Sequence, residues 1–297
     1  MLRSLLNTKK TLLIPGTFDA LSALIAKQAG FNALYLSGFG VAGSMLAKPD
    51  IGLVTASEMI ERARQVVAAV GDTPLIADGD NGYGGENDVA RLINAYEQAG
   101  VQSVQLEDQV SPKRCGHMNE KQVVSLEEAV GKIAMAVRSR QSKEFLIIAR
   151  TDARATHGLD EALRRGEAFL KVGADMLFIE APENIKEIEI IKREFPDTVL
   201  VANMVEEGKT PELSLKQLED LGYQVVLRPI SALLTATKAL QTSYAALSQS
   251  GIAESPPARL TFQAYNDLVR PVSYTHLRAH ETSLQVVSRL LREKKNG

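Results

Sequence analysis

Three short polar runs could do chemistry together. Asp78-Gly79-Asp80 follows the apolar run Leu75-Ile76-Ala77, Glu107-Asp108 follows Val104-Gln105-Leu106, and Lys113-Arg114-Cys115-Gly116-His117 comes a few residues later. Carboxylates that end buried strands can converge on one hard cation, because such ions take oxygen ligands. A cysteine flanked by two cations has its pKa drawn towards neutrality, since positive neighbours favour the thiolate. The set therefore reads as a metal site with a reactive thiol beside it. Each member by itself has a plainer reading, as a helix cap or a solvated cationic loop; the combination is what points to chemistry.

These groups need elements to hold them. Apolar, β-rich runs at 11–14, 33–36, 74–77, 101–106, 145–149, 176–179, 199–202 and 224–227 alternate with helical spacing, clearest at 57–70, 126–137 and 159–172. Runs as continuous as Leu146-Ile147-Ile148 suit parallel strands buried on both faces. Eight of them predict a (β/α)8 TIM barrel. Gly30, Gly71, Gly100, Gly173 and Gly222 each precede a strand, where a helix C-terminus commonly needs a left-handed residue. The residues leaving the strands are Gly16 with Asp19, Ser37-Gly38, Asp78 with Asp80, Glu107, Arg150 with Asp152, Glu180, Asn203 and Arg228. Barrel enzymes place chemistry at that end. A doubly wound open sheet would instead gather its polar groups at one switch point.

The chain has 297 residues, a formal net charge of −2 and 24% charged residues. A single barrel accommodates that length. The expected organisation is a catalytic barrel over 1–250, a helical segment over 251–271, and a tail of different character over 272–297. With no strongly basic stretch, nucleic acid is not an expected partner. No apolar run approaches a membrane span, and the opening residues lack a leader's apolar core. Cys115 is the one cysteine, so no internal disulfide can form, which suits a reducing, cytoplasmic setting.

Beyond these readings, the chain resembles the isocitrate lyase/phosphoenolpyruvate mutase superfamily, including 2-methylisocitrate lyase and carboxyphosphonoenolpyruvate phosphonomutase-like proteins. Lys113-Arg114-Cys115-Gly116-His117 looks like the lyase signature. Asp78-Gly79-Asp80-Asn81-Gly82-Tyr83-Gly84, Leu106-Glu107-Asp108-Gln109 and Ile148-Ala149-Arg150-Thr151-Asp152-Ala153 support it. The resemblance runs from Pro15-Gly16-Thr17-Phe18-Asp19 to about Lys238. It implies a barrel whose last helix is exchanged between subunits, a homotetramer, and Mg2+, with Mn2+ as a substitute. By motif, Asp78 and Asp80 would lie nearest the metal, with Asp50 and Glu107 holding its waters. Ser37, Gly38 and Phe39 would meet a substrate carboxylate or oxyanion, Arg150 would clamp a carboxylate, and Asn203 and Gly116 would complete the substrate contacts. Cys115 would be the acid, with Lys113, His117 and Glu180 assisting.

Those parts suit retro-aldol cleavage of a 2-hydroxy di- or tricarboxylate, with Mg2+ polarising the half that becomes an α-keto acid and Cys115 protonating the other. The loop bearing Cys115 is expected to close over substrate. Enzymes similar to 2-methylisocitrate lyase carry an arginine near the position of Leu234 for a further carboxylate. Leucine there favours a 2-alkylmalate or dimethylmalate, unless Arg228, one turn earlier, substitutes. The rival readings are phosphonate chemistry, oxaloacetate hydrolysis and, least, a non-catalytic binding barrel. Other signals are weaker: His157 reads as a surface residue, Asp160-Glu161 as the charged start of a helix, and Gly79 to Gly85 lacks the ending of a phosphate loop. The run Val272-Ser273-Tyr274-Thr275-His276-Leu277-Arg278-Ala279-His280-Glu281-Thr282 looks like a translated sequencing-library adapter, which a long read of the source DNA would test.

Overall fold

The computed structural model describes residues 1–8, 10–114, 121–255 and 258–269. Eight parallel strands close a barrel in chain order: β1 Leu12–Thr17, β2 Leu34–Leu36, β3 Leu75–Asp78, β4 Ser103–Glu107, β5 Leu146–Thr151, β6 Met176–Ile179, β7 Val199–Asn203 and β8 Val225–Arg228. The pairing of Leu12 with Val225 closes the ring. All eight expected strands are present, and they continue one to three residues further at the C-terminal end in β1, β3, β4, β5, β7 and β8. At that end the sequence turns polar, so hydrophobic runs underestimate strand length there.

Around the ring lie helices α1 Leu2–Leu6, α2 Ala20–Gln28, α3 Gly38–Val41, α4 Ala56–Val70, α5 Glu86–Ala99, α6 Leu126–Ser139, α7 Ala153–His157, α8 Leu159–Lys171, α9 Ile185–Glu194 and α10 Leu215–Asp220. A π-helical turn, Ala42–Leu46, follows α3. Helix starts are set by side chains: Asp19, Thr55 and Ser214 each close a reciprocal capping box, satisfying donors that the first turn leaves unpaired. Asp160 and Glu161 fall in the first turn of α8, as expected, although Glu161 is also engaged by Arg164 and Arg165. The five glycines before strands all have positive φ, the conformation anticipated for them.

Two apolar layers follow from strand alternation. Leu34, Leu36, Leu75, Ala77, Ile147 and Ala149 face the helices, whereas Tyr35, Ile76, Leu146, Ile148, Met176 and Phe178 fill the barrel. Leu2 and Leu6 of α1 join the inner layer. Burying each Leu, Ile, Met or Phe side chain among them contributes about 1.5–3 kcal/mol. The inner row keeps its two-residue period to the C-terminal end, where it becomes polar: Ile76 gives way to Asp78, Gln105 to Glu107, Ile148 to Arg150, Phe178 to Glu180 and Val201 to Asn203. This is the physical origin of the site.

The contacts divide the chain into a unit Met1–Lys238, which carries the barrel, and a unit Ala239–Gly297. Helix α11, Ser231–Ser250, begins in the first and ends in the second, which also holds α12, Phe262–Val269. Pro256, Pro257 and the suspected adapter-derived run lie outside the described residues.

Candidate active site

The acids after β3 and β4 are held by the backbone around them. Asp78 ends β3; its Oδ1 accepts from the Asp80 N–H at 3.1 Å and its Oδ2 from the Gly38 N–H at 3.2 Å. The Tyr96 hydroxyl donates to the Asp78 carbonyl at 2.7 Å. Asp80 sits at φ 45°, a strained conformation for a residue with a side chain, and its carbonyl accepts from the Glu107 N–H at 2.9 Å. Between them Gly79 has no room for a Cβ, which would lie 2.7 Å from Val104 and 2.9 Å from the Gln105 carbonyl. Asp50 enters from the segment before α4. Lys113 reaches it at 2.7 Å and Asp80 Oδ1 at 2.8 Å.

Asp50, Asp78, Asp80 and Glu107 are all buried. Burial, opposed by Lys113 but reinforced by the Asp78 and Asp50 carboxylates, pushes Asp80 up to about 7. Burial likewise raises Glu107 well above the usual carboxylate value, against the pull of Arg150. For Lys113, burial works to lower the ammonium, yet Asp80, Asp50, Asp78 and Glu107 together hold it well above its ordinary value. Asp80 Oδ1 and Glu107 Oε1 are buried without a hydrogen-bond partner, although the Lys113 ammonium forms an ion pair with Asp80 at 2.8 Å. This corner holds more negative charge than its neighbours satisfy.

One strand further round the mouth, at β5, the balance differs. Glu107 and Arg150 are paired residues of adjacent strands, and Arg150 Nε lies 3.3 Å from Glu107. Its guanidinium meets both oxygens of Asp152, at 2.9 and 3.1 Å, and lies over the Phe178 ring at 5.1 Å. Lys121 donates to Asp152 at 2.7 Å. Burial would raise Asp152, but Arg150 and Lys121 hold it below the carboxylate range. The Asn203 amide donates to Glu180 at 3.3 Å, and Arg150 lies 3.8 Å from the same carboxylate.

These groups open into a cavity of about 230 Å³. It brings together Ser37, Phe39, Asp50, Asp78, Glu107, Lys113, Arg150, Glu180 and Asn203 of the expected set. Asp80 is reached through Lys113, on the far side of that ammonium, where it borders a second cavity. One expected donor is already used, the Gly38 N–H by Asp78; the Ser37 hydroxyl oxygen accepts from the Gly40 N–H, which leaves its own O–H to donate. Arg228 does not line the cavity, and pairs instead with Glu212 at 3.0 Å. Cys115, Gly116 and His117 lie outside the described residues, and with them the core of the expected mobile loop. His157 is exposed, as expected.

Tyr35, Gln105, Phe178, Val205, Leu227, Pro229 and Ile230 also line the cavity and were not anticipated. One signal could have exposed the first two: they are polar or amphipathic residues at inner positions of otherwise apolar strands. Lys121 and Asp108 support Arg150 through Asp152, a use with no local pattern in the chain because their partner lies 31 and 44 residues away.

The residues present fit a divalent cation. Among the described residues, no three His, Cys, Asp or Glu side chains form a ready coordination cage. Mg2+ does not require one, since it keeps several waters and takes few carboxylates directly. The unsatisfied oxygens of Asp80 and Glu107, with an ammonium drawn between Asp50 and Asp80, show that the corner demands positive charge.

Comparison with known proteins agrees with this geometry. The family model described as phosphoenolpyruvate phosphomutase matches residues 2–248. A 2,3-dimethylmalate lyase of Eubacterium barkeri is 46% identical over 272 residues, covering 90% of this chain and 92% of that protein. The crystal structure of a 2,3-dimethylmalate lyase superposes with a TM-score of 0.90 at 34% identity, over 94% of this chain and 93% of its own. A phosphonopyruvate hydrolase solved with oxalate and Mg2+ gives a TM-score of 0.82 at 30% identity, over 95% and 96% of the two chains. The chain belongs to the phosphoenolpyruvate phosphomutase family and is a lyase of the phosphoenolpyruvate mutase/isocitrate lyase superfamily.

Proposed function

We propose that this enzyme cleaves a 2-alkylmalate, 2,3-dimethylmalate foremost, to an α-keto acid and a saturated carboxylic acid. The observation that carries the reading is the wall built by β8 and the segments after β7 and β8. Val205, Leu227, Pro229 and Ile230 line the cavity there, Leu234 is 45% exposed outside it, and Arg228 is turned to Glu212. An apolar wall accepts methyl groups, and a third carboxylate against it without a partner would cost several kcal/mol. This favours a dialkyl dicarboxylate over a tricarboxylate.

Asp78 and Asp80 would hold Mg2+, with Asp50 and Glu107 ordering its waters. When bound, the cation supplies Lewis-acid polarisation of the hydroxyl and carboxylate on the half that leaves as keto acid. Arg150 holds a substrate carboxylate as a two-pronged donor. The hydroxyl proton passes to a basic group of the cavity and from there restores the Cys115 thiol, the C2–C3 bond breaks, and its electron pair passes to C3, stabilised as the enolate of the second carboxylate. Cys115 delivers a proton to C3, so the products together contain every atom of the substrate. The working assembly is a homotetramer with exchanged terminal helices, acting in the cytoplasm; among the described residues no helix is long and apolar enough to cross a membrane.

The test is Mg2+-dependent keto-acid release, followed with a coupled reductase on 2,3-dimethylmalate, 2-methylisocitrate, oxaloacetate and phosphonopyruvate. Release from 2,3-dimethylmalate, abolished by chelator and reduced about 10²- to 10⁴-fold by Cys115→Ser, is expected. A preference for 2-methylisocitrate would overturn the substrate assignment, and turnover of phosphonopyruvate without any hydroxy acid would overturn the reaction.

A further inference from the structure

Behind the Arg150 guanidinium lies a buried relay that the reaction does not itself use. Both oxygens of Asp152 face cations: Oδ2 accepts from Arg150 Nε, and Oδ1 is shared by Arg150 at 3.1 Å and Lys121 at 2.7 Å. The Asp152 N–H donates to Asp108 at 2.9 Å, and Asp108 accepts from Thr151 at 2.6 Å and Arg165 at 3.0 Å. Asp152 is wholly buried and Lys121 is 7% exposed. The backbone beside Lys121 is tied to the barrel by the antiparallel bridge of Gln109 with Val123 and by the Val110 N–H donating to the Gln122 carbonyl at 2.9 Å. Lys121 is therefore a fixed charge rather than a solvated side chain.

Its effect on Arg150 is electrostatic and geometric. Glu107, Asp152 and Glu180 all lie within 3.8 Å of the guanidinium. Three carboxylates around one cation would leave little positive potential for an anionic substrate. An ammonium on Asp152 takes up part of that charge and fixes the carboxylate plane that orients the two prongs of Arg150.

We infer that Lys121 is a positioning residue for substrate binding, acting through Asp152 to aim the Arg150 guanidinium and preserve its positive charge at the cavity. This rests on the reading of Arg150 as the carboxylate clamp. Substrate affinity thereby depends on a lysine from the segment after β4, although that lysine does not line the cavity.

The experiment is calorimetric titration of oxalate in the presence of Mg2+, on the full chain, for Lys121→Met, Lys121→Gln, Lys121→Arg, Arg150→Gln and the double variant Lys121→Met/Arg150→Gln. Lys121→Met should weaken oxalate by about tenfold or more at unchanged binding stoichiometry, and Lys121→Arg should recover most of the loss. Loss of a merely structural lysine would lower the stoichiometry and the melting temperature without moving Kd. The double variant should bind no more weakly than Arg150→Gln, because both act through one guanidinium. Folded Lys121→Met that binds like wild type, or losses that add, would overturn the inference; if Lys121→Met does not fold, Lys121→Gln answers the same question. Arg150→Gln binding as tightly as wild type would sink the clamp reading itself, and is seen separately in that arm.

Discussion

The β3 and β5 corners of the barrel mouth carry similar residues in opposite states. On the β3 side, buried carboxylates outnumber their cation: Asp80 is pushed up to about 7, and oxygens of Asp80 and Glu107 lack hydrogen-bond partners. On the β5 side, Asp152 is buried just as fully yet is held low, because Arg150 and Lys121 meet both its oxygens. Burial is the same; the supply of donors differs. The satisfied side is finished in the protein alone and fixes geometry, whereas the other side keeps buried carboxylate oxygens that the proposed Mg2+ would meet.

This contrast can be broken by exchanging the roles of the two aspartates. Asp80→Ala should lower Mg2+-dependent turnover about a thousandfold and remove metal dependence, the several kcal/mol of charge stabilisation a bound cation supplies. Its melting temperature without metal should stay level or rise, since an unsatisfied charge has gone. Full activity in a keto-acid assay would disprove the metal assignment. Asp152→Asn should do the reverse, costing about 3–5 kcal/mol in urea unfolding because Lys121 and Arg150 lose a shared buried partner. A loss within the error of extrapolation would mean the β5 network is not the firm side.

The contrast also has a pH signature. A raised folded-state pKa means that the folded protein binds its proton more tightly than the unfolded chain does. Asp80 therefore favours folding below the ordinary carboxylate range, and that advantage fades as pH climbs to about 7. Asp152, held low, contributes stability above the ordinary carboxylate value and loses it only in strong acid. Chelated protein should thus lose thermal stability as pH rises through the weakly acidic range, and Mg2+ should flatten that slope; equal slopes with and without Mg2+ would contradict it. The smallest effect belongs to Arg228→Gln, which should change KM less than about threefold, since that side chain forms a partly exposed pair with Glu212 outside the cavity. A larger rise in KM would restore Arg228 as a substrate contact and reopen the tricarboxylate reading.

Much of this site was legible before folding. Asp78, Glu107, Arg150, Glu180 and Asn203 each end or follow an apolar run, and an inner row of period two carries them to one mouth. Ser37 and Gly38 were legible as loop residues but not in their use, because their partners, Asp78 and Gly40, are set by how α3 docks. Arg228 looked suitable by spacing and failed by direction. The apolar wall from Val205 to Ile230 was hidden, since apolar residues after a strand carry no sign of which cavity they face.

Pattern along the chain specifies the barrel and the order of its strands, because periodicity, glycine punctuation and helix caps are local and need no partner. Residue type specifies which positions could do chemistry, since carboxylate, guanidinium and thiol are chemical identities. Folding settles which carboxylates are satisfied, where Lys113 and Lys121 deliver their charges, and which wall is apolar. Those outcomes depend on distances between residues far apart in the chain, fixed when eight strands close into one ring.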